Sequence, residues 1–274
     1  MKKKDQKMIF SSAGMSEIAA DLRTLVDFEE KRIPLKELSR LIDRNLVPHL
    51  MRYDSPGFQS FFNAPPERGA ALGARRALAH NQGITNWHVS PGGAMLEELC
   101  CRALCRLFGF PEGADATFMY CGTYANLQAL YMALHRHAER CGFNLAEKGL
   151  AGFQGSAPPA VAASEQAHFS LRHAVRTLGL GEEGLISIPV DANHRLDIER
   201  LDETLDAVKK KGRQEVFCLV ATAGTTSTGS VDPILPAVEA CRRADIWLHV
   251  DGAYGLAYSL VPEYAPLFRG YERA

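Results

Sequence analysis

The stretch that decides the fold is EVFCLVATAGTTSTGSVDPILPAVEACRRADIWLHVD, residues 215–251. It opens with an almost continuous apolar run, EVFCLVATA, passes through a hydroxyl-rich turn and a helical segment, DPILPAVEACRR, and closes on a second apolar run, IWLHVD. Apolar runs of this kind fit strands buried on both faces, as in a parallel sheet covered by helices on either side.

Moving towards the N-terminus, the alternation repeats. AVAAS precedes HFSLRHAVRTLG, LISIPV precedes LDIERLDETLDAVKKK, and ATFMY precedes GTYANLQALYMALHRHAER. Strand and helix in regular exchange predict an α/β doubly wound sheet. Residues 141–159, rich in Gly, Ala and Pro, read as irregular connection. Upstream, Met95–Phe108 keeps helical spacing through Leu96, Leu99, Ala103, Leu104 and Leu107, predicting a well-buried helix. Two amphipathic helices begin the chain, one over residues 16–32 and one over 34–46, followed by the Pro- and aromatic-rich loop YDSPGFQSFFNAPPERG. Residues 1–66 are thus expected to form a helical segment with a loop, and 67–274 a large domain.

Composition narrows the function. The 274 residues carry 31 Lys plus Arg against 32 Asp plus Glu, a net charge of -1, so nothing favours nucleic acid or an anionic membrane as main partner. A hydrophobic content of 46% with 23% charged residues is that of a globular protein. No apolar run suits a bilayer, and MKKKDQKMIF lacks the apolar region of a secretory signal, which predicts a cytoplasmic location. The seven cysteines lack paired C-x-x-C spacing and read as reduced core residues. No metal site is expected: His135 and His137 stand two apart on a helix, and no H-E-x-x-H occurs. GLGEEG, residues 179–184, matches G-x-G-x-x-G but follows a helix and precedes a strand, the reverse of a dinucleotide fingerprint.

Open α/β sheets bind ligands beyond the carboxyl ends of their strands, and several of those ends carry chemistry here. At Gly122-Thr123 a helix begins with backbone N–H groups and a hydroxyl suited to phosphate, or simply capped by Thr123. Ala223–Gly229 is a hydroxyl-rich loop after an apolar strand, either a ligand contact or a solvated turn with a capped helix behind it. Asp251 closes a buried strand, where a carboxylate is costly without a cation or donors. His168 follows another strand and could lie on a ring, or cap a helix. An anion cradle, a hydroxyl loop and a buried carboxylate together suit a ligand with a phosphate at one end and a protonated ring nitrogen at the other, the shape of pyridoxal 5'-phosphate.

C-G-T-Y-A-N, S-E-Q-A-H-F-S, A-T-A-G-T-T-S-T-G-S-V-D-P-I and I-W-L-H-V-D-G-A-Y-G resemble, in order and spacing, the successive motifs of the group II pyridoxal-phosphate decarboxylases, from about Ser55 to the end. The resemblance implies a fold-type I pyridoxal-phosphate transferase-like fold, decarboxylation of an amino acid, and a homodimer in the intact family member. It implies that Gly122 and Thr123 hold the phosphate and His168 stacks on the ring. Thr226 then lines the substrate side, Asp251 pairs with the ring nitrogen, and Ala253 packs on the other face. His168 and Thr226 would be the catalytic side chains. Phe61, Phe62 and Trp87 match positions near the family's substrate pocket, or are core aromatics.

The family's cofactor-anchoring lysine lies in an N-P-H-K-like motif whose spacing falls past Ala274, and the last lysine here is Lys211, in a run at a helix end. The chain therefore reads as a decarboxylase truncated at its C-terminus, with the large domain incomplete, a sheet edge uncovered, and no activity alone. Two alternatives stand beside it: a non-catalytic remnant that binds a partner, and another fold-type I enzyme.

Overall fold

The computed structural model describes residues 11–26, 33–56, 58 and 65–274. The chain divides into two compact units, Met1–Asn81 and Gln82–Ala274. The first contains α1 (Met15–Leu22), α2 (Leu35–Asn45) and α3 (Arg68–His80). Within it, His49 accepts or donates at both ring nitrogens, to Ser11 Oγ at 3.1 Å and Asp21 Oδ2 at 2.9 Å. Asn45 Nδ2 donates to Thr24 Oγ1. The helix expected over 16–32 stops earlier, with a single 3₁₀ turn at Arg23–Leu25. Phe61 and Phe62 lie outside the described residues.

The second unit contains α4 (Pro91–Leu107), α5 (Gly122–Arg140), α6 (Leu145–Lys148), β1 (Pro159–Ser164), α7 (Ser170–Thr177), β2 (Leu185–Ile188), α8 (Ile198–Lys211), β3 (Glu215–Thr222), α9 (Ile234–Ala244) and β4 (Trp247–Asp251). The strands form one parallel sheet in the order β2-β1-β3-β4. Strands successive in the chain are joined through a helix, as parallel alignment requires.

Side-chain alternation divides the core into two layers. Val161, Ala163 and Val220 face α5 and α7, meeting Leu130, Leu134, Leu171 and Val175. Ala162, Leu219, Ala221 and Leu248 face α8 and α9, meeting Leu201, Val238 and Cys241. A bulge interrupts the register between Ala160 and Val161, where β3 inserts Phe217. Phe217 and Cys218 consequently both serve the α5/α7 layer. This is the doubly wound α/β architecture expected from the apolar strands.

Four expectations change. ATFMY is not a strand: Phe118, Met119 and Tyr120 are exposed, and among the described residues no strand lies beside them to complete a ladder. Residues 141–159 are more regular than composition suggests. Asn144 caps α6 by accepting from Ala146 N, and the next 3₁₀ turn brings Phe153 into the core beside Leu145. In α4 only Cys101 is buried, while Leu96, Leu99, Leu104 and Leu107 are exposed, because this helix contributes to neither sheet-covering layer. Finally, not all cysteines are core residues. Cys101, Cys218 and Cys241 are buried, but Cys121 and Cys141 are exposed, since they flank the two ends of α5.

The glycines of GLGEEG make the turn from α7 into β2, with positive φ at Gly179 (78°) and Gly181 (71°). No helix among the described residues is long and apolar enough to cross a membrane.

Asp232 ties the layers together at the sheet's carboxyl edge. Its buried carboxylate accepts from Leu196 N and Thr222 N, both at 2.7 Å. Burial raises its pKa, against the pull of those two N–H groups. Because the folded-state pKa is raised, this group favours the fold most at acid pH and progressively less as pH rises through the shifted value. Asp232→Ala leaves two buried N–H groups without an acceptor, and should cost about 2–4 kcal/mol in urea unfolding at neutral pH. A loss within error of zero would show that Asp232 does not hold this corner.

Candidate functional site

In this strand order the chain runs from β1 outward to β2 and returns to β3 on the other side of β1. The carboxyl ends of β1 and β3 therefore flank a switch point, the usual crevice for ligands in such sheets. The loops after β1, β3 and β4, the last residue of β4 and the start of α5 supply the six residues expected to hold the cofactor, Gly122, Thr123, His168, Thr226, Asp251 and Ala253.

Asp251 ends β4 opposite Thr222, its register partner on β3. It is buried, and both carboxylate oxygens accept: Oδ2 from Asn126 Nδ2 at 2.8 Å, Oδ1 from Ala253 N at 3.2 Å. The small residues after Asp251 thus do supply a partner, through backbone rather than side chain. Thr222 Oγ1 is buried and finds no hydrogen-bond partner among the described residues.

Asn126 lies one turn inside α5 and is buried. Its Nδ2 also donates to Ser170 Oγ at 2.9 Å, and its Oδ1 accepts from His249 Nε2 at 2.8 Å. Ser170 Oγ in turn meets His168 Nδ1 at 2.8 Å, and Ser170 N donates to the same nitrogen at 3.2 Å. A continuous polar chain therefore joins Asp251 on β4 to His168 after β1. His168 is half-buried, with its ring 4.1 Å from that of Phe169. Burial lowers the pKa of His249, with the Asp251 carboxylate opposing.

At the start of α5 the helix begins with Gly122, so Thr123 lies inside the first turn rather than capping it. The N-cap, Cys121, provides no side-chain cap to the first N–H groups. Its thiol is nonetheless drawn below its ordinary pKa, chiefly by the Tyr124 N–H and also by Thr123. Those donors favour negative charge in front of the helix. A Cβ built on Gly122 would stand 3.5 Å from Ala253 Cβ, so the start of α5 and the loop after Asp251 are in contact range.

The hydroxyl-rich loop is mostly self-satisfied. Thr225 Oγ1 and Thr228 Oγ1 share a 2.6 Å hydrogen bond, and Thr228 donates to Ser230 Oγ. Thr226 stands outside that network and is exposed. The loop approaches the Asp251 loop at Gly224, where an added Cβ would come within 2.9 Å of Gly255 Cα; with φ 105°, this position requires glycine.

Trp87 is exposed. Sequence reasoning missed Asn126, Ser170 and His249. A signal existed for Asn126, a polar residue four before Leu130 on the apolar stripe of α5.

The family model of the pyridoxal-dependent decarboxylase conserved domain matches residues 20–274. The chain belongs to that family, whose cofactor is pyridoxal phosphate. It is 33% identical over 214 residues to the L-2,4-diaminobutyrate decarboxylase of Rhizobium meliloti (strain 1021), covering 78% of this chain and 40% of that protein. To the aromatic-L-amino-acid decarboxylase of Bacillus atrophaeus it is 29% identical over 239 residues, covering 87% and 47%. Among solved structures, the glutamate decarboxylase domain of diaminobutyrate-pyruvate transaminase and L-2,4-diaminobutyrate decarboxylase from Vibrio parahaemolyticus superposes with a TM-score of 0.90. Identity there is 26%, covering 97% of this chain and 57% of that one. The chain thus spans about half the length of the relatives it matches.

The donors around Cys121 set an order of thiol reactivity. Cys141, also exposed, has its pKa raised by burial first and by Glu215 second. At mildly alkaline pH, iodoacetamide should alkylate Cys121 before Cys141, as read by peptide mass spectrometry. The reverse order would mean that the α5 N-terminus does not favour an anion.

Proposed function

We propose that the protein to which this chain belongs decarboxylates an amino acid with pyridoxal 5'-phosphate, and that the site described above is its cofactor site. The observation that carries the reading is the polar chain from Asp251 through Asn126 and Ser170 to His168, beside the anion-favouring start of α5. Its donor and acceptor types suit the two ends of this cofactor. N–H groups at a helix start suit a phosphate, and a buried carboxylate suits a protonated ring nitrogen.

Gly122 and Thr123 bind the phosphate, Gly122 leaving room for close approach and Thr123 adding its hydroxyl. Asp251 keeps the ring nitrogen protonated. His168 stacks on one face of the ring, Ala253 packs on the other, and Thr226 lines the substrate side. When bound, the cofactor supplies a sink for the electron pair left at Cα as the carboxylate departs. His168 and Thr226 orient the reacting groups, and Asp251 holds the proton that makes the ring electron-poor.

No lysine follows Lys211, and Lys209–Lys211 end α8 where it leads into the amino end of β3. In a parallel sheet that is the edge opposite the site. We therefore propose that this polypeptide by itself binds the cofactor without a covalent bond and does not decarboxylate.

Adding pyridoxal 5'-phosphate should quench intrinsic fluorescence saturably and protect Cys121 from iodoacetamide. Borohydride should leave no protein adduct, and no carbon dioxide should be released from amino acids. Asp251→Ala should weaken cofactor binding about ten- to hundredfold. Absence of binding, or unchanged affinity in Asp251→Ala, would sink the site assignment; an adduct together with carbon dioxide release would sink the inactivity of this polypeptide.

A further inference from the structure

We propose that Asn126 is the positioning residue of this site: its one amide orients the Asp251 carboxylate, the His249 ring and the Ser170 hydroxyl that meets His168. The functional part of this inference rests on the pyridoxal-phosphate reading; the hydrogen-bond part does not.

A carboxylate oxygen that meets the amide at 2.8 Å must meet its NH₂ group, since two acceptors would repel. The amide oxygen is thereby turned to His249, so the His249 nitrogen it meets, Nε2, carries a hydrogen. The second N–H of the amide donates to Ser170 Oγ, occupying it as an acceptor. Ser170's own hydrogen is then available for His168 Nδ1, which also receives Ser170 N–H. Both contacts require a lone pair on Nδ1, so the ring proton of His168 resides on Nε2.

Asn126 thus sets the direction of the side-chain bonds to Asp251, His249 and Ser170, while the Ser170 backbone N–H and hydroxyl together hold the lone pair on His168 Nδ1. All of Asn126, Ser170 and Asp251 are buried, where a missing partner is expensive and alternative water partners are few. Removing the amide deprives Asp251 Oδ2 of its donor and His249 of its acceptor, and releases Ser170 from the donor that orients it. A side chain that merely filled space between α5 and the sheet would do none of these things.

The test uses the full 274-residue chain with selectively ¹⁵N-labelled histidine, at mildly alkaline pH, in parallel with fluorescence titration of pyridoxal 5'-phosphate. In the unsubstituted chain, His168 and His249 should both show the Nε2–H tautomer. Asn126→Leu, close in volume, should shift the His249 and His168 ring signals and raise the cofactor dissociation constant about ten- to hundredfold. Ser170→Ala cuts only one arm: the His168 signals should move and those of His249 should not. It also serves if Asn126→Leu fails to fold.

A proton on His168 Nδ1 or on His249 Nδ1 in the unsubstituted chain overturns the proposal. So do unchanged ring signals in Asn126→Leu, or unchanged His168 signals in Ser170→Ala. If the unsubstituted chain does not bind the cofactor, the functional reading fails, and the histidine spectra still decide whether Asn126 sets the network.

Discussion

A carboxylate at the end of a buried strand has to be met by donors, and the second unit is organised around how Asp251 meets that demand. The sheet supplies none: β4 pairs with β3 through backbone, and the neighbouring side chain at the same level, Thr222, finds no hydrogen-bond partner among the described residues. The donors come instead from Asn126 on α5 and from the backbone turn at Ala253. Holding Asp251 therefore requires α5 to lie against this end of the sheet. Leu130, Ala133, Leu134 and Ala138, packed against Val161, Val220 and Phe217, provide that contact. Core packing and site geometry are two consequences of one helix position.

The two faces of the sheet have different duties as a result. The α5/α7 face carries the polar residues, with His249 and Asp251 on β4 directed to it while Leu248 points to the opposite layer. The α8/α9 face stays apolar up to the edge, where Asp232 closes it by accepting two backbone N–H groups. The buried carboxyl group on each side is met locally, by an amide and one peptide N–H on one and by two peptide N–H groups on the other. Neither is held by an ion pair among the described residues, and pairs such as Arg140–Asp245, Arg176–Glu182 and Arg243–Asp202 lie between exposed side chains.

Sequence made the sheet legible because its strands are long enough and apolar enough to exclude other states, as at EVFCLVATA. It failed at ATFMY, where local composition favours a strand but a strand exists only with a ladder partner, a non-local fact. The ends of the strands were equally readable, since Asp251, His168 and Thr226 stand where apolar runs stop. The residues connecting them were not. Asn126 and Ser170 sit inside helical patterns, and His249 inside a strand pattern, where a polar residue is read as tolerated. Their roles depend on which elements meet in space. Asp232 was hidden for a different reason: before a proline at a helix start it reads as a capping residue, whereas its side chain turns inward to Leu196 and Thr222.

Helix α5 joins the ends of the site more tightly than separate loops could. Gly122, at its start, and Asn126 are four residues apart, so they lie on one helical face with a rise of about 6 Å between them. The N–H groups that favour an anion and the amide that holds Asp251 are thus parts of one rigid body. A ligand with a phosphate at one end and a ring nitrogen at the other would be measured against this fixed interval. Loops after β1 and β3 can vary without changing it, whereas any shift of α5 along the sheet would disturb the anion-favouring end and the carboxylate together. The contact range between Gly122 and Ala253 reinforces the same interval from the opposite side, because Ala253 is bonded through its own N–H to Asp251. The spacing is therefore set by regular backbone geometry.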